Sequence, residues 1–321
     1  MELFPIRIAF PRALLVLALL RATASSALSP DPRLLPLVPP GSQLVAGMRA
    51  PLGQGQPDSF LLITHNNAVD LEDFFAITGS DPSRIIHQVI FTGSEDNSGN
   101  LTEHSILVSG QFDHSKLFRS ANSNSIQYRG ISVLPFSALG RAKNASNDLR
   151  WFTLTGSDIA VFGTVATVKQ ELDRYLANTK SDVSLIRTLG RLRSDDDTWC
   201  LLSLPAPSAG IRDVLGMLNP RLAESLEEGS SFLFGIRTRR KVEFEYEIDG
   251  SSNSSAETVS NSLAKSLTGS NAKTSSLLPR RGGDENQSHI YGVVKVSKSR
   301  YEAWLIEVSA RSHNRSSADP N

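Results

Sequence analysis

Val242 to Ile248, VEFEYEI, alternates apolar and acidic residues without a break. In an extended chain successive side chains point to opposite faces, so Val242, Phe244, Tyr246 and Ile248 share one side and Glu243, Glu245 and Glu247 the other. This period predicts an antiparallel strand with one face on a core and one in water. The basic run Arg237-Thr238-Arg239-Arg240-Lys241 stands just before it. A three-residue loop over 240–242 would set Arg239 opposite Glu243 and Arg237 opposite Glu245 as cross-strand pairs. Arg237, Arg239, Arg240, Lys241, Glu243, Glu245 and Glu247 thus form the one candidate interaction surface, a docking face for a charged partner. The competing reading is a solvated hairpin, whose exposed pairs contribute little.

Working outward, Thr198 to Leu204 and Ser231 to Thr238 read as strands, with helical stretches Ile211 to Leu218 and Leu222 to Leu226 broken at Pro220. Ala256 to Leu267 offers a helix, and Ile290 to Val308 one or two closing strands. The order is βαββαβ. The first half repeats it: strand Ser42 to Met48, helix from Asp70 to Ile77, strands Ile85 to Thr92 and His104 to Phe112, a helix capped by Asp113, and strand Ser125 to Phe136. The expected fold is therefore α+β, with two tandem βαββαβ ferredoxin-like antiparallel-sheet units related by internal duplication. The units span 42–148 and 195–310. A connecting segment over 149–194 carries a Gly156-Ser157 hairpin and an amphipathic helix with Val165, Val168, Leu172, Tyr175 and Leu176 inward and Lys169, Glu171, Asp173 and Arg174 wet. A second helix runs from Leu185 to Leu192, before the acidic turn Asp195-Asp196-Asp197, read as solvated. The Ser-rich stretch 269–288 reads as an insertion, and 311–321 as a disordered tail.

The beginning of the chain carries a different signal. Arg7 and Arg12 precede the apolar run Ala13 to Leu20, and small residues follow from Ala22 to Ala27. That layout is a signal peptide over 1–27, cleaved after Ala24 or Ala27. A membrane anchor is the alternative, but a span takes roughly 20 apolar residues, and Arg21 closes this run early. No stable membrane span is expected after cleavage. A proline-stiffened linker over 28–41 follows. Counted from the cleavage site about 290 residues remain, enough for one large domain or two ordinary ones.

Lys plus Arg and Asp plus Glu both total 33, so the formal charge is zero and no field gathers nucleic acid. Cys200 stands alone in Trp199-Cys200-Leu201-Leu202, which excludes a disulfide scaffold and favours a buried thiol over a nucleophile. So little cysteine suits an exported bacterial, periplasmic or extracellular protein, in which the sequons at Asn100, Asn144, Asn253, Asn286 and Asn314 carry no meaning.

No local motif names a reaction. G-x-S-x-G is missing, and Ser262 with Lys265 and Ser270 with Lys273 lack the companion motifs of penicillin-binding enzymes. Gly269 to Thr274 lacks the second glycine of a phosphate loop. No two histidines fall at H-x-x-x-H spacing, and His87 and His104 would sit near opposite ends of a hairpin. No catalytic residue, cofactor or metal is assigned.

Gly110-Gln111-Phe112-Asp113, Tyr128-Arg129-Gly130 and Asp158 to Gly163 together resemble a pattern in exported bacterial proteins of unknown function. The resemblance covers about half the chain by the standards of such pattern matches and implies no activity. Two functions stay open. The first is a non-enzymatic binding or protein-interaction protein that meets another envelope component; the second is a carrier of a small apolar ligand between two packed sheets. A lined cavity would favour the carrier, and a filled core with an exposed patch the interaction protein. An enzyme without a local signature comes third.

Overall fold

The structure is a computed structural model and describes residues 30–49, 85–96, 99, 101–113, 115, 125–135, 151–193, 196–204, 209–226, 230–251, 253–268, 288–304 and 306–307. The leader, the helix expected from Asp70, most of the helix expected from Asp113, residues 269–287 and the tail lie outside these.

The strands are β1 Leu44–Arg49, β2 Ile86–Glu95, β3 Leu101–Gly110, β4 Ile126–Tyr128, β5 Ile131–Pro135 and β6 Trp151–Thr155. Then follow β7 Ile159–Gly163, β8 Thr198–Ser203, β9 Ser231–Thr238, β10 Val242–Ser251 and β11 Ser288–Val296. All eleven form one antiparallel sheet in the order β11-β10-β9-β8-β1-β2-β3-β7-β6-β5-β4. This corrects the expectation of two ferredoxin-like units and of the duplication built on them. A ferredoxin-like unit interleaves its strands, whereas here successive strands lie side by side, β1-β2-β3 on one flank and β8-β9-β10-β11 on the other. The 149–194 segment is no mere connection either, because β6 and β7 extend the same sheet beyond β3. Periodicity fixes which side of a strand is buried; it does not choose the strand's neighbours.

At the centre β1 pairs with β8, Ala46 opposite Cys200 and Gly47 opposite Trp199. The buried Trp199 indole lies directly over Gly47, where any Cβ would overlap the ring.

One face of the sheet carries Leu44, Ala46, Cys200, Phe232, Phe234, Phe244 and Tyr246. It is covered by α3 Ala209–Leu218, α4 Pro220–Ser225 and α5 Asn253–Thr268. Asn219 caps α4, accepting a hydrogen bond from Arg221 N at 2.9 Å, and Pro220 fills the first helical position, where a missing N–H costs nothing. Residues 298–304 are helical rather than a second closing strand. Ser297 Oγ accepts from Arg300 N, and Tyr301 and Trp304, one turn apart, both face the core. Trp304 meets Phe244 edge-on with ring centroids 6.1 Å apart, a geometry that adds to simple burial.

The other face carries Val45, Ile90, Leu107, Val161, Trp199, Leu201 and Leu233. It is covered by α1 Val165–Leu176, α2 Val183–Leu189 and a 3-10 turn at Leu35–Leu37. The segment read as a linker therefore packs: Leu34, Leu35, Leu37 and Val38 are all buried, and Arg33 pairs with Asp31 at 2.7 Å and Asp158 at 2.5 Å. Prolines between apolar residues here shape a core layer. Ser125 to Phe136 is also not one strand but the hairpin β4–β5, turning at Arg129 and Gly130, both with positive φ. That pair of left-handed residues matches the twist of a two-residue hairpin.

Replacing Gly47 by Ala forces β1 and Trp199 apart at the middle of the sheet. The expected cost is about 1–3 kcal/mol, typical of overpacking, read as a lower midpoint in urea. An unchanged midpoint would show that the Trp199 ring moves freely.

Candidate functional site

The basic and acidic hairpin is the first candidate, and its register differs from expectation. The loop is 239–241, so Arg237 stands opposite Glu243 and Gly235 opposite Glu245. Arg239, Arg240 and Lys241 are exposed at the tip. The glutamate side is not wet: Glu245 and Glu247 are only 5% and 8% exposed. Two arginines from the segment joining α2 to β8 lie over it. Arg193 Nε meets Glu245 Oε2 at 2.8 Å, and Arg193 N donates to Glu245 Oε1 at 3.0 Å. Arg191 reaches Glu247 at 3.3 Å and also pairs with Asp249. Glu243 is shared by Arg237, Arg193 and, at 2.9 Å, Lys295. Burial alone would raise the Glu243 carboxyl, but the hydrogen bonds from Lys295 and Arg237 outweigh it and hold it below the usual carboxylate range.

The acidic turn is structural as well. Asp196 and Asp197 are buried, and Asp197 Oδ2 accepts from Thr238 N at 2.6 Å at the end of β9. Arg237 and the three glutamates are therefore engaged with Arg191, Arg193 and Lys295, so this side of the hairpin holds the α2–β8 segment, while Arg239, Arg240 and Lys241 stay exposed at its tip. A charge stripe looks the same in sequence whether water or another segment covers it.

A second group lies under α1. Thr164 caps this helix, and Val168 and Leu172 are buried as the pattern predicts. Glu171, assigned to the wet side, is buried too, facing Ser105 of β3, and neither carboxylate oxygen has a hydrogen-bond partner. Burial raises its pKa from 4.5 to about 8, with Ser105 and Arg174 offsetting only part of the effect. Ser105 in turn shares a 2.8 Å hydrogen bond with the buried Thr92 hydroxyl. The next acid along, Asp173, pairs with Arg129 at 2.6 Å and accepts from Tyr128 OH at 2.8 Å.

A cleft of about 460 Å³ opens where α1 ends and α2 begins. Its walls come from residues 38–42, from Arg174, Lys180, Thr188 and Leu185, and from Leu201, Ser203 and Ser231 on the ends of β8 and β9. Asp182 also lines it, but its carboxylate is engaged in capping α2, accepting from Ser184 N at 2.7 Å. Around the same corner Val183 is 69%, Leu176 46%, Ile186 45% and Tyr175 39% exposed. The apolar pattern of α1 places Tyr175 and Leu176 inside, but at the last turn of the helix both are exposed.

Other candidates close. Cys200 is buried in the core, and desolvation pushes its thiol far up, which is the state of a packing residue and not of a nucleophile. His87 and His104 occupy separate β-bulges at opposite ends of the β2–β3 pairing. Among the described residues no group of His, Cys, Asp and Glu could hold a metal ion, and no helix is long and apolar enough to cross a membrane.

Comparison with protein-family models, with curated proteins and with solved structures finds no match.

Glu171 makes stability depend on pH in a stated direction. Below pH 4.5 it is protonated folded and unfolded; from there to about pH 8 the unfolded chain releases a proton that the folded chain keeps. Its contribution is thus fully present below pH 4.5 and lost as pH rises through about 8. Each tenfold difference in proton affinity between the two states is worth about 1.4 kcal/mol, so the loss is on the order of a few kcal/mol. Urea unfolding of Glu171→Gln from pH 5 to 8.5 is expected to show a flatter profile than the parent; parallel profiles would mean that Glu171 is ionised inside the fold.

Proposed function

We propose that the protein is an exported, non-enzymatic interaction protein, binding another envelope protein through the corner formed by α1 and α2. The observation that carries this reading is the contrast between a filled interior and an unfilled corner. Both faces of the sheet are packed with buried side chains, while Tyr175 and Leu176 at the end of α1 and Val183 and Ile186 on α2 remain in water. Scattered exposed apolar residues are ordinary; four within residues 175–186, on the end of α1 and on α2 to either side of Lys180 and Asp182, have the composition of an apolar contact with a polar rim. The carrier reading needed a chamber between two sheets. The described strands make a single sheet, and the cleft at its corner is walled by charged and hydroxyl side chains as well as apolar ones.

Two measurements test the proposal. The mass of the chain isolated from its host's envelope is expected to fit a start at Ser25 or Leu28; an intact Met1 start would refute the cleaved leader. A photo-crosslinking residue at Val183 is expected to give a discrete protein adduct in the host, which Ile186→Asp removes, whereas the same probe at Lys241 gives none. Equal adducts at both positions, or no adduct at Val183, would defeat the interaction reading.

A further inference from the structure

We infer that the cleft between α1, α2 and the ends of β8 and β9 binds a small, hydroxyl-bearing anion, of which a sugar acid or a sugar phosphate is the type. Its volume of about 460 Å³ lies within the roughly 300–1,000 Å³ of small-molecule sites.

The charge of the lining decides the sign of the ligand. Arg174 and Lys180 are its cations, and Asp182 its carboxylate. Asp182 Oδ1 already accepts from the backbone N–H groups of Ser184 and Leu185, at 2.7 and 3.3 Å. Arg174 has no ion-pair partner among the described residues. The acids beside it on α1 are occupied or neutral: Asp173 turns to Arg129 and Tyr128, and Glu171 is buried with a pKa of about 8, so it carries little charge at neutral pH.

Arg174 is also held ready. Its Nε donates to the carbonyl oxygen of Pro36 at 2.8 Å, which fixes the guanidinium plane and leaves the two terminal nitrogens, the pair suited to a carboxylate or phosphate fork. The buried turn at 34–38 is therefore what positions the anion-binding group.

Hydroxyls decide the rest of the ligand. Thr188 projects from α2, and Ser203 and Ser231 face each other across β8 and β9 at the cleft wall. Each hydroxyl both donates and accepts, so the set matches a polyol better than an alkyl chain. Leu185, Leu201 and Val38 supply an apolar floor of the kind that receives the C–H face of a sugar ring.

The test is an amide NMR titration of the labelled protein at pH 7 and constant ionic strength, with sodium glucuronate, sodium phosphate and, as the uncharged control, glucose. Glucuronate or phosphate is expected to shift amides of 179–188 and 201–203, and glucose is not. Tighter binding of glucuronate assigns the site to sugar acids; tighter binding of phosphate assigns it to phosphorylated ligands. Arg174→Gln with Lys180→Gln should weaken binding at least tenfold. The exposed Lys180→Gln alone, which leaves the Pro36 contact intact, should weaken it about threefold, in keeping with the modest worth of a solvent-facing charge. Anion probes that leave these amides unmoved, variants that bind as tightly as the parent, or glucose binding as tightly as glucuronate would each overturn the inference.

Discussion

Everything in this fold hangs on the pairing of β1 with β8, two strands about 150 residues apart in sequence whose distance makes closing the loop costly in chain entropy. Leu44 to Met48 of β1 bonds to Thr198 to Leu202 of β8, and from that seam β2 and β3 extend one way and β9 to β11 the other. The seam is secured on both faces. Ala46 and Cys200 enter the core under α3 to α5, while Trp199 lies flat over Gly47 on the opposite side. Spoiling the fit of that indole over Gly47 strains the seam that both flanks share.

The polar interior follows from the same arrangement. Both faces of the sheet are covered, and among the described residues connecting segments share that role with the helices. The segment after α2 lays Arg191 and Arg193 over the β10 glutamates, and the turn at 34–38 lies against α1. Charged cover is tolerable because each glutamate finds a cation or backbone N–H, which offsets much of the desolvation cost. Glu171 has no such partner and takes the other route open to a buried acid, keeping its proton.

Both proposals draw on the α1–α2 corner. There Tyr175, Leu176, Val183 and Ile186 are exposed, and a cleft with a largely polar lining is walled by residues of both helices. The two features are distinct in chemistry, one suited to a protein surface and one to a hydroxylated anion. Both depend on the short link between α1 and α2 and on the buried turn that anchors Arg174.

Local structure was legible in the sequence wherever a short-range rule applied. The alternation of VEFEYEI set β10 and its inward face, Gly156-Ser157 marked the β6–β7 turn, and the Val168–Leu172 spacing placed α1. The lone cysteine lies in the core, as its apolar neighbours imply. The candidate site was legible only in part: the hairpin's own charges stand out, but their partners, Arg191 and Arg193, come from a distant segment and carry no local mark. Glu171 had no signal at all, since a carboxylate on a helix is wet in nearly every sequence context. Nor could the cleft be found, because its cations and hydroxyls come from separate elements. The sequence by itself determined the period and inward face of elements such as β10 and the middle of α1, which depend on residues a few places apart. Only the tertiary structure decided that the strands join in one sheet through β1 and β8, which acids are covered, and where the surface is left open, because these depend on contacts between residues far apart in the chain.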